Sequence, residues 1–100
     1  MLTSSTTWWY YIKVNSKNRK ILEGIFKQPT PSNILWADIE LLFLSLGAEI
    51  TEGNGSRVRV KLHGARAVFH RPHPDKNTDK GAVNSVKRFL KTAGVNNDGI

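Results

Sequence analysis

Between residues 53 and 74 the chain reads GNGSRVRVKLHGARAVFHRPHP. Basic and apolar residues alternate strictly over 57–62, the period of a strand with one buried face. Val58, Val60 and Leu62 then face a core, while Arg57, Arg59 and Lys61 face away. His63-Gly64 fits a two-residue hairpin turn, with glycine accepting a positive φ; Asn or Asp would suit the first position better than His. That turn sets Leu62 opposite Ala65, Val60 opposite Ala67 and Val58 opposite Phe69. Every inward pair is apolar, and a slip of one residue would turn the apolar set outward. The outward pairs are Lys61 with Arg66, Arg59 with Val68 and Arg57 with His70. Like charges directly opposite each other cost stability, so this face suits an anionic partner. A merely solvated basic face is the alternative.

The rest of the chain supplies elements to cover the apolar side. A helix is predicted over 15–28, capped by Asn15 or Ser16, with Ile21, Leu22, Ile25 and Phe26 as its apolar stripe and Pro29 as its stop. A second helix, capped by Ser32 or Asn33, ends at Leu46; Trp36, Ile39, Leu42, Phe43 and Leu46 recur at helical spacing, and Gly47 suits its C-terminal cap. A short strand over 48–52 turns through Gly53-Asn54-Gly55 into the hairpin, making a meander. After Pro72 and Pro74, Thr78 or Asp79 can cap a last helix over 80–92, with Val83, Val86, Phe89, Leu90 and Ala93 inward and Lys80, Asn84, Lys87 and Lys91 on another face. The expected fold is α+β, with helices on one face of a three-stranded antiparallel meander in the order ααβββα. Residues 1–14, with Trp8, Trp9, Tyr10 and Tyr11, read as an edge strand or an extension outside the domain, the alternative being a stacking platform for bases. Translation beginning near Val14 would account for such an extension. Residues 96–100 read as a frayed tail.

Charge sharpens the functional reading. The formal net charge is +7, and all of the excess lies in residues 53–100. Such asymmetry points to a polyanion, most often nucleic acid, although an acidic protein fits too. The absence of cysteine excludes a disulfide framework, a thiolate zinc site and a cysteine nucleophile, and suits a cytoplasmic location. No apolar run is long enough to span a membrane. The N-terminus lacks the basic region and cleavage site of a signal peptide.

No phosphate-cradling loop, dinucleotide fingerprint or nucleophile elbow occurs. His70 and His73 have too few neighbouring ligands for a metal site, and no cofactor is expected. Metal-free acid–base chemistry beside arginines remains. Cleaving RNA takes a base for the 2′-hydroxyl, an acid for the leaving oxygen and positive charge on the phosphate, which histidine and arginine supply.

Residues 15–95 resemble the HicA family of toxin–antitoxin toxins. Leu46-Gly47-Ala48 is similar to that family's helix-to-strand junction, and Gly55-Ser56 to the start of its G-S-H motif. Pro72-His73, Asp79-Lys80-Gly81 and VKRFLKTAG over 86–94 are similar to its proline-histidine, lysine-glycine and terminal-helix pattern. The resemblance implies a double-stranded-RNA-binding-domain-like fold. It also implies a cytoplasmic endoribonuclease acting on single-stranded mRNA and neutralised by a HicB-type antitoxin. The family's catalytic histidine follows Gly-Ser, and Arg57 stands in that place here. His70, predicted directly across from Arg57, is the first replacement and His73 the second. Ser56, Arg57, Arg59, Arg71, Lys80 and Lys87 are the candidate RNA contacts. A noncatalytic domain binding RNA or antitoxin on the same face is the alternative function.

Overall fold

A computed structural model describes residues 16–95. The extension expected over 1–14 and the tail expected over 96–100 lie outside the described residues. Among the described residues the elements are α1 (Ser16–Phe26), β1 (Ile34–Leu35), α2 (Trp36–Ser45), β2 (Glu49–Glu52), β3 (Arg57–Leu62), β4 (Ala65–His70), β5 (Asn77–Thr78) and α3 (Lys80–Thr92). β2, β3 and β4 form an antiparallel meander in that spatial order. The three helices cover one face, the ααβββα arrangement of a double-stranded-RNA-binding-domain-like fold.

The hairpin register is the one that the apolar alternation demands. Leu62 pairs with Ala65, Val60 with Ala67 and Val58 with Phe69. Val58, Val60 and Leu62 are buried against α1, α2 and α3 through Leu22, Ile25, Ile39, Leu42, Val83, Val86 and Leu90. The turn has φ 51° at His63 and φ 84° at Gly64, the two positive angles of a type I′ hairpin. His63 gains a partner that offsets its poorer fit to this conformation. Its Nδ1–H donates to the Ala93 carbonyl at 3.0 Å, tying the hairpin tip to the end of α3. Since a carbonyl only accepts, Nδ1 carries the hydrogen.

The ends of the helices explain where the sequence reading departs from the structure. α1 is shorter than expected and stops at Phe26, three residues before Pro29. α2 begins at Trp36, with neither Ser32 nor Asn33 as its cap. Residues 34–35 are extended instead, because they bridge to β5, with Ile34 opposite Thr78 and Leu35 opposite Asn77. The first helical N–H, that of Trp36, donates to the Lys76 carbonyl at 3.0 Å, so the β5 segment does what a side-chain cap would do. Two residues per strand are too few to show a period in the sequence. α3 is capped as expected, with Asp79 Oδ1 accepting from the Ala82 N–H at 2.7 Å.

Both α2 and α3 end in a Schellman motif. Gly47 N–H donates to Leu44 O and Ala48 N–H to Phe43 O, each at 3.0 Å. Gly94 N–H to Lys91 O and Val95 N–H to Leu90 O repeat the pattern. Gly47 and Gly94 take φ of 92° and 86°, where a Cβ would be strained. The residues that follow, Ala48 and Val95, are buried in the core.

Four aromatic rings hold the sheet to the helices at one end. Phe43 lies 5.8 Å from Phe69, 5.6 Å from Phe89 and 6.5 Å from Trp36. Phe69 in turn lies 5.6 Å from Trp36 and 5.8 Å from Phe89. The edge-to-face and offset geometries are those favoured by ring quadrupoles. Through Phe69 this cluster fixes the last turn of the pleat in β4, immediately before His70.

Candidate nucleic-acid interface

The face away from the helices carries three rows of side chains, set by the ladder. Arg57 pairs with His70. Thr51, Arg59 and Val68 form the next row, and Glu49, Lys61 and Arg66 the third. All eight residues are exposed. Among the described residues none of Arg57, Arg59, Lys61 and Arg66 takes part in a salt bridge. Four cations face solvent here with one carboxylate, Glu49, among them. Glu49, opposite Lys61, offsets part of their repulsion, and an anion meeting the face would offset the rest. His70 therefore sits on an open, electropositive surface, directly across the ladder from Arg57.

Arg71 does not join that surface. Pleating sends it to the side of Phe69, two residues earlier, and so toward the helices. Its Nε donates to Glu40 Oε2 at 2.7 Å and its Nη2 to Glu40 Oε1 at 3.1 Å. Nη1 and Nη2 also donate to Glu52 Oε1 and Oε2 at 2.7 and 2.8 Å. The Trp36 indole N–H donates to the same Glu40 carboxylate. Arg71 is thus a strut between α2, β2 and the chain leaving β4, with its charge offset by two carboxylates. Its backbone N–H adds a bond of 2.9 Å to the Ser56 carbonyl, beyond the end of the β3–β4 ladder. Glu40 and Glu52 were missed in the sequence reading, and Trp36 was read only as part of the apolar stripe. Parity could have found the Arg71–Glu52 contact, since Glu52 follows Ile50 as Arg71 follows Phe69.

The strut carries a pH dependence. Hydrogen bonds from Arg71 hold the Glu52 carboxyl below its ordinary value of 4.5, and those from Glu40 and Glu52 raise the Arg71 guanidinium above its usual range. A carboxylate depressed on folding stabilises the fold above its unfolded value and loses that contribution as pH falls through the folded one. Thermal melts of wild type should therefore drop as pH falls below about 4.5. Arg71→Met should show a shallower drop over that interval. Equal slopes for the two proteins would mean that the Arg71 strut does not carry this pH dependence.

The remaining candidates are dispersed. Ser56 is exposed in the turn that opens β3, and its carbonyl accepts from Arg71. His73 is exposed in the loop after β4. Lys80 begins α3 and Lys87 lies half-buried farther along it, both in the helical layer rather than on the open sheet face. Asn84, between them, accepts from the Thr30 hydroxyl at 3.1 Å and so fastens the α1–β1 linker to α3. Among the described residues no group of three or more His, Asp or Glu is placed to hold a metal ion, and no helix is long and apolar enough to cross a membrane.

The basic ribbon, the strand order and the two glycine-terminated helices coincide with a family match. A family model described as the HicA toxin of bacterial toxin–antitoxin systems matches residues 36–95, the region from the start of α2 through the end of α3. The chain belongs to the HicA toxin family. As a HicA toxin it is one member of a toxin–antitoxin pair, and an antitoxin is its implied partner. Neither the curated proteins nor the solved structures contain a match to the chain. The matched region holds the whole open face and the Arg71 strut, while α1, which lies outside it, contributes Leu22 and Ile25 to the core.

Proposed function

We propose that this HicA toxin binds single-stranded mRNA across the open sheet face and cleaves it by acid–base chemistry that needs no metal. The observation carrying this reading is the Arg57–His70 pair, an imidazole and a guanidinium in register on an exposed basic face. Arg57 holds a phosphate and offsets the charge that builds on it in the transition state. His70 handles the proton: as base it removes hydrogen from the 2′-hydroxyl, whose oxygen attacks phosphorus as the bond to the 5′-oxygen breaks. A proton must also reach that leaving oxygen, and His73 is the second candidate for moving it. DNA, lacking the 2′-hydroxyl, should be bound and left intact. Arg59 and Lys61 continue the positive track along β3, with Ser56 at its start. Lys80 and Lys87 offer a separate phosphate contact from the helical layer. Arg71 fits a positioning role better than a phosphate contact, because its donors are already used. A HicB-type antitoxin neutralises the toxin by covering the same face in the cytoplasm.

One observation favours a second reading. Arg57 stands where the family resemblance puts the catalytic histidine, and an arginine stays protonated at neutral pH, so it makes a poor base. A chain that relied on that position alone would bind RNA or antitoxin without cleaving. Cleavage and RNA binding without cleavage both require electrostatic contact with the strand, which weakens linearly with log salt concentration. Replacing Arg57, Arg59 or Lys61 by alanine should each lower that slope by about one, measured by titrating a labelled strand at several salt concentrations. Unchanged slopes in all three variants would move the RNA off this face.

A further inference from the structure

The open face holds a side chain that a track of phosphates does not use. Val68 is 55% exposed, yet it lies in the middle of the basic ribbon. Arg59 stands directly opposite, and Thr51 stands opposite Arg59 on the next strand. A shallow depression over this row is bordered by Glu49, Thr51, Arg59, Lys61, Arg66 and Val68. The row is two residues along β3 from Arg57, about 6.6–6.8 Å, which is the length scale of one nucleotide in an unstacked strand. A ligand that fits must be anionic along its length and present a flat apolar surface between its charges. Single-stranded nucleic acid has both properties. Bases splayed from a strand stack on guanidinium planes as well as on aromatic rings.

We propose that the Thr51–Arg59–Val68 row is a nucleobase subsite one nucleotide from the Arg57–His70 pair. The base lies over Val68 and the Arg59 guanidinium, and its edge meets the Thr51 hydroxyl and the Glu49 carboxylate. Glu49 can accept from an exocyclic amine, as carboxylates do from cytosine, so it favours amino-bearing bases over uracil at this position. This subsite rests on the reading that RNA lies on the open face.

The test uses a dye-labelled 2′-O-methyl RNA octamer, which lacks the attacking hydroxyl, beside an octamer with the same backbone and no bases. Fluorescence polarisation gives the affinity of wild type, Arg59→Lys and Val68→Thr for each strand. Arg59→Lys keeps the charge and loses the stacking plane; Val68→Thr keeps the branched shape and adds a hydroxyl. The subsite predicts that each variant loses about fivefold more for the base-bearing strand than for the abasic strand, and that Val68→Thr, which alters no charge, keeps the wild-type affinity for the abasic strand and the wild-type salt slope. Variants that match wild type on both strands, or equal binding of both strands by wild type, would overturn the subsite and leave RNA binding standing. Failure of wild type to bind either strand at low salt would overturn both.

Discussion

Replacing His70 by alanine is expected to lower the rate of RNA cleavage by about two to four orders of magnitude, the usual contribution of a positioned acid or base. Strand affinity should change little, because His70 is a single exposed ring beside four permanent cations. The two readouts separate chemistry from binding: a loss of turnover with an intact salt slope assigns the proton transfer to His70. Arg57→Lys should have an intermediate effect, keeping the charge while losing the planar fork that grips two phosphate oxygens. Full cleavage by the His70→Ala protein would end this assignment and make His73 the residue to replace next.

The largest structural effect is expected at Phe43. Its ring is fully buried and packs against Trp36, Phe69 and Phe89. Truncation to alanine removes the transfer energy of the ring and leaves a cavity that three other rings cannot easily fill, at a cost of about 3–5 kcal/mol. Domains of this size hold only about 5–15 kcal/mol in total. At about 4–8 °C per kcal/mol, the melting temperature should fall far enough to threaten folding at physiological temperature. Phe43→Leu, which keeps much of the volume, should cost less and remain folded. Because Phe69 immediately precedes His70, the leucine variant should lose cleavage activity in addition to stability if the aromatic cluster sets the position of the imidazole. A melt of Phe43→Ala indistinguishable from wild type would mean that the cluster does not hold the domain together.

The hairpin was legible in the sequence to the residue. Its period of two, one acceptable turn and an all-apolar inward set leave a single register, and the Arg57–His70 pair follows from it. The helices were legible through their stripes, and the C-terminal end of α2 through Gly47, since a Schellman motif is a local affair of a few residues. What the sequence concealed was long-range. The β1–β5 bridge joins residues 34–35 to 77–78 and takes over the capping of α2, and nothing near Ser32 or Asn33 announces it. Arg71 read as one more cation in a basic stretch because its two carboxylates lie 31 and 19 residues away. Composition locates charge, and only the fold says which charges are already paired.

The proposed role of His70, as the residue that works beside Arg57 to make this HicA toxin a ribonuclease, can be tested in a single comparison. The direct measurement is incubation of purified protein with a long single-stranded RNA in the presence of chelator, wild type beside His70→Ala. Fragments are expected in the wild-type lane, carrying the 2′,3′-cyclic ends that attack by the 2′-hydroxyl leaves, and intact RNA in the variant lane. Intact RNA in both lanes, together with a salt-sensitive gel shift, would rule out that role and leave a domain that binds through its basic face and cleaves nothing.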